Sequence, residues 1–501
     1  MVDHLEVRHG VYADSVSLMQ VSRRVGDTGG VTGALIAMAT ELNLDLLAGM
    51  GFQQVEASAG DMVVAIRASD DDAVAAALAE FEAALAASSG GASSASFGDA
   101  PPPRTVRDAA ALGGDLALIS TPGEHAYLEA VDALRAGLHV MLFSDNVPLD
   151  QEIALKAEAA ARGLLVMGPD AGTAIVSGVG LGFANVVAPG PVGIVAASGT
   201  GAQHLTCLLD DAGVGISHVL GVGGRDLKAE VGGAATRQAL LALDADPATE
   251  LIVLLSKPPA EAVAAAIRSF AGDLGTPVVL GLLGPTEDDL SGVAATVIGR
   301  IGAQVPAWPT WGDPPSPGGA ALATGAGPGR LVGLFSGGTL CSEALLLAEA
   351  ALGPIASNVT ADPDRRLTDE LTAGGHLLLD LGEDAHTRGR PHPMIDQRLR
   401  IERIAEEAAD PDTRVLLLDV VLGHGAHADP AAELAPAIRA ARDGARTDGR
   451  TLQVIISLCG TISDPQRRDR QAATLAESGA YVTVSNAAAA RAAIATLEVP
   501  A

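Results

Sequence analysis

Along most of the chain, short unbroken apolar runs alternate with longer stretches whose apolar positions recur at helical spacing. In the N-terminal part this pattern predicts strands at residues 4–12, 33–39 and 62–68 and helices at 16–24, 41–48 and 71–85, a small α+β sandwich. Further on, residues 116–120, 139–143 and 164–167 read as buried strands, with helices at 124–136 and 150–162 between them. The rhythm restarts with a strand at 192–196. Regular β-α-β spacing predicts α/β, doubly wound parallel-sheet domains, in which ligands sit at the carboxyl ends of the strands.

Two stretches interrupt the pattern. Residues 88–103 are rich in Ser, Gly and Ala and end in prolines, and residues 306–329 are dense in Pro, Gly and Ala; both read as linkers. They set off a small α+β accessory domain at 1–87, a middle of two units at 104–190 and 191–305, and a C-terminal unit at 330–501. The last two units repeat one another. VGIVAASGTGAQHLTCLLDDAG (192–213) parallels VGLFSGGTLCSEALLLAEAALG (332–353), ADPATELIVLLSKPP (245–259) parallels ADPDTRVLLLDVVLG (409–423), and TPVVLGLLG (276–284) parallels TLQVIISLCG (451–460). Three matches in one order indicate two homologous open α/β domains fused in one chain.

Composition narrows the function classes. Aromatic residues make up only 2%, so the cores are built from Ala, Val and Leu, as in helices packed on parallel strands. A formal net charge of −29 argues against a nucleic-acid groove, which needs clustered Lys and Arg. Cys207, Cys341 and Cys459 lie far apart, which indicates neither a disulfide framework nor a zinc site, and no metal is expected. The N-terminus carries charge from Asp3 onward and lacks a leader-like apolar run. The stretch 178–197 is broken by Gly182, Asn185, Pro189, Gly190 and Pro191, so a turn feeding a buried strand is expected there rather than a membrane span. The cytoplasm is the expected compartment.

The candidate chemistry lies at strand ends. Ser198, Gly199, Thr200 and Gly201 in one repeat, and Ser336, Gly337, Gly338 and Thr339 in the other, each follow a buried strand and open a helix. Glycines let the backbone approach an anion, and the first-turn N–H groups with the positive end of the helix dipole bind phosphate. A plain Ser/Thr cap is the alternative, weakened because the element occurs twice. No Gly-Lys-Ser/Thr and no GxGxxG follows, so neither a Walker loop nor a dinucleotide fingerprint is present. Gly223 and Gly224 free the backbone after another strand, where Arg225 is expected to clamp a carboxylate or phosphate; an exposed turn with an Arg–Asp pair is the alternative. Lys257 stands at the end of a strand as a point charge for a phosphoryl group, with a merely solvated lysine, the commoner case there, as the alternative. The segment 382–396 gathers Asp384, His386, Arg388, Arg390, His392 and Asp396, a source of acid–base or anion-binding groups, with Arg390 and His392 expected to orient an acceptor. His424 and His427 in GHGAHADP raise the question of a phosphorylated histidine, against a glycine loop with incidental histidines.

These residues resemble a known family. GEHAYLEAVDALRAGLHVMLFSDNVPLD (123–150), MGPDAGTA (167–174), GIVAASGTG (193–201) and GVGGRDL (221–227) stand in the order found in the α subunit of succinyl-CoA synthetase. With SKPP, SGGT and DLGEDAHTRGRPHPMID added, the chain resembles the FdrA family, described as acyl-CoA synthetases, over nearly its whole length outside the linkers. The resemblance implies a CoA-binding-like domain followed by two flavodoxin-like ligase domains whose helix N-termini converge on a single phosphate. The chain departs from the synthetase in that residues 280–292, where the phosphorylated histidine would fall, contain no histidine. Lys257 stands near the place of the glutamate that steadies that histidine, Gly113–Gly114 is all that remains of the glycine-rich CoA loop, and Ala171 replaces a usual cysteine. No ATP-grasp domain is expected, so ATP would come from a partner chain or not be used.

Phosphate cradles without phosphohistidine machinery lead to the expectation of carbamoyl- or acyl-phosphate transfer. The resemblance implies an oxamate carbamoyltransferase of ureide (allantoin) catabolism, interconverting oxalurate plus phosphate with oxamate plus carbamoyl phosphate. The expected ligands are phosphate or carbamoyl phosphate, with CoA as an open alternative. The expected partners are separate protein subunits and further copies of the chain, with neither nucleic acid nor membrane. An ADP-forming acyl-CoA synthetase using His424 is a second expectation, and a non-catalytic assembly or regulatory subunit a third.

Overall fold

The computed structural model describes the chain except for residues 12, 14, 59, 90–102, 317–328, 369–370, 388–389 and 498–501. Most of the two linker stretches, and Arg388, therefore lie outside the described residues. Four sheets follow one another along the sequence, and the fold is α/β.

The N-terminal sheet is antiparallel, with Met62–Ala68 between Val2–Arg8 and Val31–Met38. Its first strand starts earlier than the apolar pattern indicated and stops at Arg8 rather than residue 12. Arg8 is where its partner begins, opposite Met62, and the chain then turns through Gly10 at φ +67°. Helices Ser15–Gly26 and Asp71–Ser89 pack on this sheet around Val21, Val25, Ile66 and Phe81. The next sheet is parallel, formed by Leu116–Ile119, His139–Leu142 and Val166–Met167, with helices Gly123–Arg135 and Leu149–Arg162 as crossovers.

In the six-stranded sheet, Val278–Leu282, Leu251–Ser256, Pro189–Ala197 and Ile216–Gly221 run parallel in that order. Thr173–Val176 and Val179–Gly182 extend it as an antiparallel hairpin. These residues were assigned by pattern to the unit at 104–190, but they pair with the following sheet, Ile175 opposite Val219. The turn is a two-residue loop, Ser177-Gly178, with both φ values positive, which suits the twist of a hairpin.

The seven-stranded sheet has the order Thr310–Trp311, Tyr481–Thr483, Gln453–Cys459, Thr413–Val421, Arg330–Phe335, Leu377–Asp380, Ala356–Ser357, parallel except for its first strand. Thr310 and Trp311, within the stretch read as a linker, instead pair with Thr483 and Val482 and close that edge.

The two large sheets are joined by a shared layer of helices. Gly199–Asp211 and Leu290–Ile301 from the first repeat pack against Gly338–Leu352 and Asn486–Leu497 from the second. One apolar core runs through this layer, with Leu205, Leu208, Val293 and Val297 facing Leu340, Ala344 and Ile494. Each such leucine contributes about 1.5–3 kcal/mol on burial, so the two repeats are docked as tightly as parts of one domain. Among the described residues no helix is long and apolar enough to cross a membrane.

Candidate anion site between two helix N-termini

Parallel strands aim their carboxyl ends at one edge, and here the two sheets turn those edges toward each other. Strand Pro189–Ala197 delivers Ser198, whose Oγ caps the first repeat's helix by accepting the Gly201 N–H at 3.1 Å. Strand Arg330–Phe335 delivers Ser336 and Gly337, which open the second helix at Gly338. The two N-termini meet: Ser198 Oγ and Thr339 Oγ1 are 2.6 Å apart and share a hydrogen bond. The approach is close enough to require glycine. A Cβ on Gly337 would stand 2.9 Å from Thr200 Oγ1, and one on Gly201 would stand 2.9 Å from Thr339 Cγ2. First-turn amides have no intrahelical acceptors, so both helices present N–H groups and positive dipole ends to the same place. Gly199 is exposed and Thr200 and Gly338 are half-buried, which leaves this place open to solvent.

Lys257 arrives from the neighbouring strand, because Ser256 pairs in register with Ala197 immediately before Ser198. Its ammonium lies against Gly338, where an added Cβ would be 2.7 Å from Nζ. Asp380 comes from the other side, since it ends the strand paired with Arg330–Phe335 and stands opposite Phe335. The same imagined Cβ on Gly338 would be 2.3 Å from Asp380 Oδ2. Burial pushes the Asp380 carboxyl up to about 6, against the opposing pull of the Lys257 ammonium and the Gly382 amide.

Asp419, on the strand flanking Phe335 from the other direction, fills part of the second cradle. Its Oδ1 accepts the Ser336 N–H at 2.7 Å and the Ser336 hydroxyl at 2.9 Å, and its Oδ2 accepts the Gly337 N–H at 2.8 Å. Buried Arg400 stands behind it, 3.5 Å from Oδ1. Two of the expected phosphate donors, the Ser336 and Gly337 amides, are therefore engaged by the chain itself. Neither aspartate was singled out in the sequence; the available signal was a lone carboxylate closing or interrupting an all-apolar strand, LLLD and VLLLDVV.

The remaining candidates are placed differently. Gly223 has φ +88°, and its Cα lies so near the Pro169 carbonyl that a Cβ would stand 2.5 Å from that oxygen; its glycine serves this close approach. Gly224 follows it in the same turn, with no heavy atom within 4 Å of an added Cβ. The Arg225 guanidinium does not stand ready for a ligand. It pairs with Glu152 at 2.9 Å and donates to the Val147 carbonyl at 2.8 Å. Glu152 also binds Lys156 at 2.7 Å, and Lys156 reaches Asp226 at 2.8 Å, a buried network that cements the 116–167 sheet to the next domain. Arg390 is exposed. The His392 ring lies beneath the cradle, where a Cβ on Gly382 would meet its Nε2 at 2.5 Å and the Ser336 carbonyl oxygen at 2.6 Å. Burial, with the nearby Arg400 charge, holds His392 down at about 4, so it is neutral at pH 7. Its Nδ1 accepts the Met394 N–H at 3.2 Å, which leaves the proton on Nε2 and makes this edge a donor. His424 is exposed, its N–H bonded to the Ala184 carbonyl at 2.8 Å, and His427 is buried against Glu433 at 3.2 Å.

Two α/β units thus meet at facing helix N-termini, and the second of them matches a family of known proteins. Residues 334–496 match the CoA-ligase family, and residues 1–101 match the family described as AllF, heavy metal-associated domain. The chain is 37% identical over 502 residues, covering 96% of both chains, to the Escherichia coli (strain K12) protein named "Uncharacterized protein YahF", and it belongs to the same family as that protein. It is also 27% identical over 172 residues to the Succinate--CoA ligase (ADP-forming) subunit alpha of Methanothermobacter thermautotrophicus, covering 34% of this chain and 57% of that one. Among solved structures, the dinucleotide-forming acetyl-coenzyme A synthetase 1 of Ca. Korarchaeum cryptofilum, in complex with phosphate and ADP, is similar at 15% identity and a TM-score of 0.29, covering 77% of this chain and 85% of that one. The residues at hand do not fit a heavy metal in the N-terminal domain. Residues 1–101 contain no cysteine, His4 lies 3.4 Å from Glu6, and His9 lies 3.1 Å from Asp61. Among the described residues no three His, Cys, Asp or Glu side chains are grouped to hold a metal ion.

Proposed function

We propose that this acyl-CoA synthetase-like chain binds the phosphoryl group of an acyl or carbamoyl phosphate between the helices Gly199–Asp211 and Gly338–Leu352 and supports transfer of its acyl or carbamoyl group. The observation that carries this reading is the meeting of the two N-termini, 2.6 Å apart through Ser198 and Thr339, with the Lys257 ammonium beside them. Amides already fixed by the helices stabilise phosphoryl oxygens without reorganising, and Lys257 adds a charge to the same oxygens. His392, with Nδ1 engaged by the Met394 N–H and Nε2 left as a donor, is suited to hydrogen-bond at the floor of the cradle. The FdrA-like motifs support carbamoyl transfer between oxalurate and phosphate, giving oxamate and carbamoyl phosphate, with separate subunits completing the enzyme.

ADP-forming acyl-CoA synthesis is a second reading, favoured by the CoA-ligase match and the likeness to a succinate–CoA ligase α subunit. Thermal shift of the purified chain with carbamoyl phosphate, phosphate, ATP–Mg and CoA separates the two. A ligand at a hundredfold excess over its dissociation constant adds about 2.7 kcal/mol of apparent stability. A shift with phosphate or carbamoyl phosphate that is absent in Lys257→Met supports the first reading. A shift with CoA, and a phospho-enzyme lost in His424→Asn, supports the second.

A further inference from the structure

The cradle holds a carboxylate for which phosphate binding alone has no use. Asp380 Oδ1 is fixed by the Gly382 N–H at 2.9 Å, while Oδ2 is turned to Gly338, on the opposite side of the same point in space as Lys257 Nζ. Its backbone is clamped as well, because Asn358 donates to the Asp380 carbonyl at 2.8 Å and accepts the Asp380 N–H at 2.9 Å. The carboxylate therefore stays in place when a ligand enters. The charges facing it come from every neighbouring element. Lys257 is positive, Asp419 and Glu383 are negative, and the buried Cys341 thiol lies in the helix above. Asp419, backed by Arg400, gives both its oxygens to backbone and hydroxyl donors, so Asp380 is the carboxylate with an oxygen turned to the ligand.

A phosphoryl dianion beside an ionised, immobile carboxylate is repelled, and protonation of that carboxylate removes the repulsion and supplies a donor. We infer that Asp380 takes up one proton from solvent when a phosphate-bearing ligand enters the cradle, donating a hydrogen bond from Oδ2 to a phosphoryl oxygen beside the Lys257 ammonium. This rests on the anion-site reading above. Burial raises the Asp380 carboxyl to about 6, and the negative charge of a bound phosphate pushes it further in the same direction. Since the protonated form binds the anion, affinity falls as pH rises. A neutral carboxyl also selects ligands that present oxyanions over isosteres that present only N–H groups.

Calorimetric titration of inorganic phosphate into the full chain, in buffers of different ionisation heat, counts the protons taken up. Comparison with Asp380→Asn cancels the titration of phosphate itself. The wild type is expected to take up close to one proton more than the variant at pH 7. Its affinity relative to the variant is expected to fall about tenfold per pH unit from pH 7 to 8, the dependence of a single proton. Equal proton counts and parallel pH profiles would overturn the role of Asp380 and leave the anion site standing. Failure of the wild type to bind phosphate or carbamoyl phosphate would overturn both. If Asp380→Asn does not fold, infrared difference spectra of the wild type decide the matter. A protonated carboxyl band appearing with phosphate supports the inference, and its absence overturns it.

Discussion

Burying Asp419 in the middle of the apolar strand Thr413–Val421 is costly unless each oxygen is satisfied, and its three donors together with Arg400 do satisfy it. Removing the carboxylate leaves the Arg400 charge buried without its partner. Asp419→Ala is therefore expected to lose about 3–5 kcal/mol of stability, read as a lower urea midpoint at unchanged slope, and a loss near zero would show the ion pair to be dispensable. At this scale the sequence was half legible. Ser198, Thr200, Thr339 and Lys257 were singled out by strand-turn-helix grammar and strand ends, and the structure gathers them at one place. Asp380 and Asp419 were passed over because their meaning comes from which strands lie side by side. Arg225 showed the converse. A guanidinium next to two glycines looks available in one dimension, but Glu152, distant in sequence, occupies it.

Helices and strands were the most readable level, since apolar runs and helical spacing are local signals. Most differences arose where pairing partners decide. The Thr173–Val176 and Val179–Gly182 hairpin joined the sheet that follows it, and Thr310–Trp311 became an edge strand. The repeat announced two equivalent cradles, but the first helix is capped by the Ser198 hydroxyl, whereas the second has Gly337 at its N-cap with no side-chain cap, and Asp419 holds the Ser336 and Gly337 amides just before it. Glycine at the start of the second helix is a steric requirement of the cradle. In Gly338→Ala the new methyl would press on the clamped Asp380 and on Lys257. Phosphate affinity is expected to drop at least about tenfold, the loss of one charge-assisted contact, with far-UV circular dichroism unchanged. Retained affinity would mean that the ligand does not use the amide end of this helix.

For the whole molecule, the layer between the repeats carries buried ionisable groups. Glu343 accepts the Leu290 N–H at 2.6 Å and the Asn486 side-chain amide at 2.7 Å, and burial raises its carboxyl to about 7. His204 accepts the Asn486 N–H at 3.3 Å, and burial lowers its imidazole to about 4. Native Glu343 holds its proton more tightly than the unfolded chain does. Its contribution is complete below about pH 4.5 and is lost as pH rises through 7. His204 works the other way, contributing above about pH 6.5 and losing its contribution as pH falls through 4. The stability of the wild type relative to Glu343→Gln should therefore fall between pH 4.5 and pH 8 by on the order of 3 kcal/mol, whatever the offset left by the lost acceptor; denaturant titrations of both proteins at both pH values check it. The accessory domain is tied to the same body. Arg23 pairs with Glu433 and donates to the Ile395 carbonyl at 3.0 Å, in the turn that carries His392.

The hydroxyl pair joining Ser198 to Thr339 spans the two halves of a tandem duplication. Had the ancestral unit remained a separate homodimer, every substitution at the junction would have appeared on both sides of the symmetry axis. A second Lys257 or Asp380 would then have faced the first. In one fused chain the first half supplies the cation and the second the acid, a polar, two-sided centre that a symmetric pair of copies could not form.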